Sequence, residues 1–418
     1  MKNKGKLWLA IIILAIAIFI PAGVIKASTT TKIKGIKVEA FIKQLVTALK
    51  LPVDKSQEQP YIEAALKEGV LKEGEFKNYD IFLTRTDSAV LLNRADEYLN
   101  GNTVEDKLLQ TVLDKRISDI KKIPSGKRED VAKIVAKGII KGYSNGKYIQ
   151  NREFRGNELI TSSGAKTGIN LVLNPKQRAK ISPDGQLIRT TNLPKNYKDF
   201  DYILECFPNS FYERLFGYQA TKYYYEPIEL KHYASPVKIK YRTTKSEYID
   251  IQEALRLYKD EWIKKVEVNL HTRLNVDYRT IDKDNTWLET LRNTYFIFGS
   301  AESDKREIDE IKKYIKAVKK NKVIIKSEVI AVEPSTLYYA TGYRVRAYVK
   351  FKVVSATDMS KPSELFYGAF SNEKPLKKGV SFVATFDINL GTSNGSSDGS
   401  DYAVFRDMIT DYAPKRPK

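Results

Sequence analysis

The sequence predicts a multidomain protein. An all-α module of repeated helical units over residues 28–175 is followed by an α+β domain with a mainly antiparallel sheet over 251–418, and a tyrosine-rich connector at 176–250 joins them. Two observations carry this reading. The first is a recurring pattern of amphipathic helix, glycine, turn and second helix at 60–97 and again at 128–158. The second is strict two-residue alternation of apolar and polar side chains in three stretches of the C-terminal third.

Residues 1–27 come first in the chain and fix the expected compartment. Lys2, Lys4 and Lys6 precede an apolar stretch at 7–20, followed by Pro21, Gly23 and a small-residue exit at Ala27. That order is expected of a secretory signal peptide, cleaved near Ala27, with no membrane attachment afterwards. Counted through Ile25, the run approaches bilayer-spanning length, so an uncleaved anchor is the alternative. Pro21 and Gly23 weaken a continuous spanning helix.

The helical module opens at Ile36-Lys37-Val38-Glu39-Ala40-Phe41, which reads as the second helix of a unit whose first helix is missing. A full unit follows: Pro60 to Leu71, then Leu83-Thr84-Arg85-Thr86-Asp87 leading into an apolar helix. Val104, Leu108, Leu109, Val112, Ile117 and Ile120 form a stripe that predicts an inserted helix. The last unit contains Val131-Ala132-Lys133-Ile134-Val135-Ala136-Lys137-Gly138-Ile139-Ile140 and then Gly142-Tyr143-Ser144-Asn145-Gly146. Breaks are expected at Gly101-Asn102, Pro124-Ser125-Gly126 and Asn174-Pro175.

These segments resemble S-layer homology repeats. The resemblance covers about a third of the chain and rests on the helix, the glycine turn with its aromatic residue, and an Ile-Thr-Arg-Ala-Glu-like segment that starts the second helix. It implies attachment of a bacterial surface protein to anionic, pyruvylated secondary cell-wall polysaccharide, and so a place in the cell wall or S-layer. It also implies polysaccharide-binding residues: Thr84, Arg85 and Asp87 in the first full unit, and Tyr143, Asn145, Gly146, Arg155 and Glu158 in the second. A guanidinium at a helix start, beside free backbone N–H groups, suits a carboxylate. Thr84 is expected to cap the helix and Asp87 to favour its first turn. Setting Phe154 at the family's Ile position puts Arg155 at Thr, Gly156 at Arg and Glu158 at Glu, so the second unit lacks the arginine. In the half unit, Lys37 and Val38 stand at the Thr and Arg positions.

Alternation in the C-terminal domain predicts strands at 266–278, 343–353 and 380–390. Their apolar faces carry Val266, Leu270 and Val276; Val345, Val349 and Phe351; and Val380, Ala384 and Phe386. One wet and one dry face means a sheet covered on one side, with helices supplied by the Ile251/Leu255/Tyr258/Trp262 and Ile308/Ile311/Ile315/Val318 stripes. On the wet face Arg344, Arg346, Lys350 and Lys352 are expected to form a positive row, a second candidate surface for anionic polymer.

Composition limits the remaining functions. Net charge is +20, which favours polyanionic partners, and the leader makes wall polymer the expected one and nucleic acid not. One cysteine, Cys206, excludes an intramolecular disulfide. With only His232 and His271 there is no zinc set and no Cys/His dyad, and no glycine loop cradles a phosphate, so neither metal nor cofactor is expected. The sequence selects no catalytic residue, and the expected role is non-catalytic anchoring. A wall-targeted hydrolase with a catalytic C-terminal domain and an envelope protein scaffold are the two rivals.

Overall fold

The computed structural model describes residues 35–144, 151–214, 240–242, 248–295, 301–339, 343–371, 376–390 and 404–410. The leader, Asn145, Gly146 and His232 lie outside the described residues.

In the helical module, α1 (Val38–Leu49), α2 (Pro60–Lys67), α3 (Arg85–Asn100), α4 (Asp106–Lys115), α5 (Arg128–Ala136) and α6 (Ser162–Leu173) share one core. A two-residue hairpin, β1 (Tyr143–Ser144) with β2 (Arg152–Glu153), stands between α5 and α6. The three longer helices α1, α3 and α6 start together at a ring of three backbone hydrogen bonds. The N–H of Ile36 donates to Ile160 O (2.8 Å), that of Leu83 to Ile36 O (2.8 Å), and that of Ile160 to Leu83 O (3.1 Å). This cycle relates Lys37, Thr84 and Thr161, the three N-cap positions, by a pseudo-threefold axis. The two short outer helices obey the same relation. α2 and α5 each end at a left-handed glycine, Gly69 (φ 71°) and Gly138 (φ 69°), where a side chain would be strained. Two buried apolar residues follow each glycine, Val70-Leu71 and Ile139-Ile140.

A buried polar cluster locks α5 onto α3. Lys137 Nζ lies 2.9 Å from Asp96 Oδ2 and donates to Asn93 Oδ1 at 2.9 Å, and Arg178 also pairs with Asp96. The Asp96 and Lys137 side chains are sealed from solvent, so their charges depend on pairing within this cluster.

The C-terminal region carries α8 (Ile251–Arg273), α9 (Thr286–Arg292) and α10 (Ala301–Lys320) against one sheet; a short α7 (Asn209–Glu213) belongs to the segment before it. The strands are β5 (Val276–Asp277), β6 (Ile324–Tyr339), β7 (Tyr343–Ser355), β8 (Ala369–Ser371), β9 (Ser381–Leu390) and β10 (Val404–Thr410), in the order β5-β6-β7-β9-β10-β8. All pairings are antiparallel except β10 with β8, as the sequence reading of a mainly antiparallel sheet requires. A separate two-stranded ladder, β3 (Lys240–Arg242) with β4 (Tyr248–Asp250), precedes α8. Val345, Ala347, Val349, Phe351 and Val353 of β7 point into the core, with Ala384, Phe386, Ile388 and Leu390 of β9 beside them.

The structure corrects three strand-level expectations. Most of 266–278 is the end of α8, with a two-residue strand only at 276–277. The apolar residues Trp262, Val266, Leu270 and Leu274 are four apart, a spacing that satisfies both the helical stripe and two-residue alternation. Val380 lies outside β9 and is exposed. The wet face of β7 is not wet along its length: Phe200, Ile203, Leu204, Phe207, Phe211 and Tyr212 pack on Ala331 and Tyr348, covering that side.

Candidate carbohydrate site at the start of helix α3

Thr84 caps α3 and is held by the next turn. Its Oγ1 accepts the Asp87 N–H (3.1 Å) and donates to Asp87 Oδ2 (2.6 Å), while Lys127 Nζ reaches Asp87 Oδ1 at 2.5 Å. The polar atoms of Thr84 and Asp87 thus serve the helix start, leaving the next side chain, Arg85, as the chemical group of the site.

The loop 152–160 wraps this helix start. The N–H of Arg85 donates to Glu158 O (2.7 Å) and that of Thr86 to Gly156 O (3.0 Å), using two of the donors that a helix N-terminus leaves unpaired. Gly156 is required by closeness, since a Cβ there would lie 2.2 Å from Thr86 Oγ1. Asp119 fixes the loop from behind, accepting the N–H groups of Phe154 (2.6 Å) and Arg155 (2.8 Å).

Within this frame the Arg85 guanidinium is positioned on three sides. Its Nε donates to Phe154 O at 2.8 Å, and its carbon lies 4.9 Å from the Tyr143 ring centre and 5.1 Å from that of Phe154. These distances are within cation–π range. Among the described residues, no hydrogen bond or ion pair engages its two terminal nitrogens. Half-burial pulls the pKa of this guanidinium down from its ordinary value, desolvation being the main cause. An arginine stays charged regardless. The site therefore presents a fixed, partly desolvated cation with an open edge, a geometry that accepts a carboxylate in two parallel bonds.

Tyr143 is shared by two cations, since the Arg155 carbon lies 4.2 Å from the same ring. Arg155 adopts a left-handed backbone (φ 57°), and its Nε donates to Glu153 at 3.0 Å, which holds its pKa above the ordinary value. Its Nη1 is 3.8 Å from the Glu158 carboxylate. Arg85, Tyr143, Arg155 and Glu158 thus lie together at the start of α3, and Arg155 and Glu158 reach it from the wrapping loop by a route the repeat alignment did not give.

That route corrects the assignment of Phe154 to the family's Ile position. Helix α6 begins at Ser162, and Thr161 caps it by accepting the Gly164 N–H at 3.0 Å. The equivalent positions on the three helices are Lys37-Val38, Thr84-Arg85 and Thr161-Ser162, so Arg155 and Gly156 belong to the wrapping loop. The missed signal was Ile160-Thr161, an apolar residue and a cap immediately before helical periodicity, whereas Gly156 is a poor helix opener. The roles of Phe154, Asp119 and Lys127 are not legible in the sequence, because they depend on contacts distant along the chain. Arg85 is the one arginine among the three equivalent positions.

The expected positive row on β7 does not form as one exposed face. Arg346 is fully buried: its Nε and Nη2 donate to Asp387 (2.8 and 3.0 Å), and its Nη1 to Phe211 O (3.0 Å) and Arg214 O (2.8 Å). Arg344 is half-buried beside it, and Lys350 and Lys352 both pair with Glu328, at 2.9 and 3.2 Å. Cys206 is buried enough for its thiol to be pushed up to about 12, so it stays protonated near neutral pH.

Residues 116–161 match the family model of the S-layer homology domain, a span running from the end of α4 to the cap of α6. The chain thus carries an S-layer homology domain, a type that binds cell-wall polysaccharide and associates with the cell surface. No curated protein matches the chain. Among the described residues no helix is long and apolar enough to cross a membrane.

Proposed function

We propose that the protein is a non-catalytic anchor, held on anionic, pyruvylated cell-wall polysaccharide through the Arg85 edge, and that it displays the C-terminal domain at the surface. The observation that carries this reading is the unengaged terminal edge of Arg85, fixed at Nε by Phe154 O and flanked by Tyr143 and Phe154. A pyruvyl ketal offers a carboxylate for the guanidinium, and its sugar ring offers an apolar face for exposed Tyr143. The other two helix starts carry Val38 and Ser162, so one groove per chain does the binding. Secretion through cleavage of residues 1–27 completes the proposal.

Co-sedimentation of residues 28–418 with purified bacterial walls tests it. The expected result is retention on intact walls and release once the wall polysaccharide is stripped or its pyruvyl groups are hydrolysed. Equal retention on stripped walls, or hydrolysis of wall glycan by the protein, would overturn it.

A further inference from the structure

The pseudo-threefold relation exposes a place where the module is incomplete. α2 packs on α1, and α5 packs on α3, each outer helix lying on the central helix of the preceding unit. The same operation places a third outer helix on α6, beside α1. Among the described residues no helix lies there; instead, a groove of about 580 Å³ runs between α1 and α6.

Position by position, the groove matches surfaces that are covered elsewhere. Ile169 and Leu173 of α6 correspond to Leu45 and Leu49 of α1, which are buried in the core that α1 shares with α2, and to Leu92 and Asp96 of α3, buried in the core shared with α5. Leu173 is 41% exposed where Leu49 is 8%. The chain after α6 does not fill the gap, because Arg178 turns back to Leu171 O and Asp96, and the Ala179 N–H donates to Gly138 O, on the α5 side.

We infer that this groove is a docking site for an amphipathic helix with an acidic flank, supplied by another envelope protein. Charge selects the occupant. Lys43 and Lys166 border the apolar floor, neither has a carboxylate partner among the described residues, and no lining residue is acidic. Gln44, which also lines the groove, has an amide oxygen without a hydrogen-bond partner there. The segment of this chain that precedes α1 does not fit: residues 1–34 contain no Asp or Glu, and the stretch at 7–20 has no polar face for solvent. A second copy has its own outer helices already packed. Helix-in-groove recognition reads an apolar stripe with charged edges, the pattern this surface complements.

The test uses the chain's own outer helix as the probe. A peptide of residues 59–72, held helical by an i,i+4 hydrocarbon staple placed away from the charged positions, is made in an acidic form (Lys67→Glu, Lys72→Glu) and a basic form (Glu63→Lys, Glu68→Lys), and fluorescence anisotropy follows its binding to chains 1–418 and 28–418. The expected result is saturable binding of the acidic peptide to both chains, at least tenfold weaker binding of the basic form, and reversal of that preference in Lys43→Glu/Lys166→Glu. These lysines are exposed, so their reversal is compatible with folding. Absent or charge-insensitive binding would overturn the inference. So would binding to 28–418 alone, which would make the N-terminal segment the occupant, or self-association of the chain abolished by Lys166→Glu. Arg85→Ala leaves peptide binding intact, and Lys166→Glu leaves wall retention intact, so failure of this inference is distinct from failure of the anchoring proposal.

Discussion

Arg85 and Arg346 begin as the same kind of residue in the sequence, a cation expected to face an anionic polymer, and the structure gives them opposite surroundings. At Arg346 the Asp387 carboxylate and two backbone carbonyls take the guanidinium donors, and the connector seals the site from water. At Arg85 a single carbonyl takes Nε, two rings hold the guanidinium faces, and among the described residues no hydrogen bond or ion pair takes the terminal edge. What separates a structural cation from a binding one is the number of donors left after folding, and that number depends on segments far away in the chain.

The comparison breaks most visibly through stability. Replacing Arg346 with Leu takes from the partly buried Asp387 carboxylate its two-bond pairing with the guanidinium and strips two carbonyls of their donor, at a cost of about 3–5 kcal/mol. Urea denaturation is expected to show that loss, while wall retention of the protein that remains folded is unchanged.

A pH effect of comparable size belongs to the same covered sheet face. Glu333 on β6 is fully buried, and desolvation pushes its carboxyl up to about 8. An acid with a raised folded pKa binds a proton that the unfolded chain has already released, so stability falls as pH rises from the ordinary carboxylate range towards 8. Glu333→Gln is expected to remove this decline. Denaturation at pH 5 and pH 8 checks it: the variant gains roughly 2–4 kcal/mol over wild type at pH 8 and little at pH 5.

At the helix start the effects are smaller and shift from stability to binding. Gly156→Ala drives a Cβ into Thr86 Oγ1, forcing the loop away from α3 at a cost of roughly 1–3 kcal/mol and displacing Phe154 O from Arg85. Denaturation and wall co-sedimentation are both expected to register it. Tyr143→Ala removes an exposed ring that no core contact requires, so stability should hold while retention falls about threefold, the scale of one cation–π contact of about 0.5–1 kcal/mol. A Tyr143→Ala protein retained as well as wild type would show that the ring is not part of the binding edge.

Local signals made much of the fold legible. Thr84 before a helix with Asp87 three residues on, Gly101 and Asn174 at helix ends, and the β7 alternation all read through to the structure because cap chemistry and burial patterns are local. Residues 266–278 misled because a four-residue spacing is common to both periodicities. The β7 arginines misled because the covering segment around Phe207 and Tyr212 announces no partner in its own sequence. In the site, Arg85 and Tyr143 were visible, whereas the hydrogen-bonded ring at Ile36, Leu83 and Ile160 that relates the three helix starts exists only once the chain closes on itself.

The most direct measurement is calorimetric titration of residues 28–418, wild type and Arg85→Gln, with a pyruvylated wall saccharide and its depyruvylated form. The account predicts that wild type binds the pyruvylated saccharide at least tenfold more tightly than the depyruvylated one, and that Arg85→Gln abolishes the difference while melting at the wild-type temperature. A folded Arg85→Gln protein that still prefers the pyruvylated saccharide would contradict it.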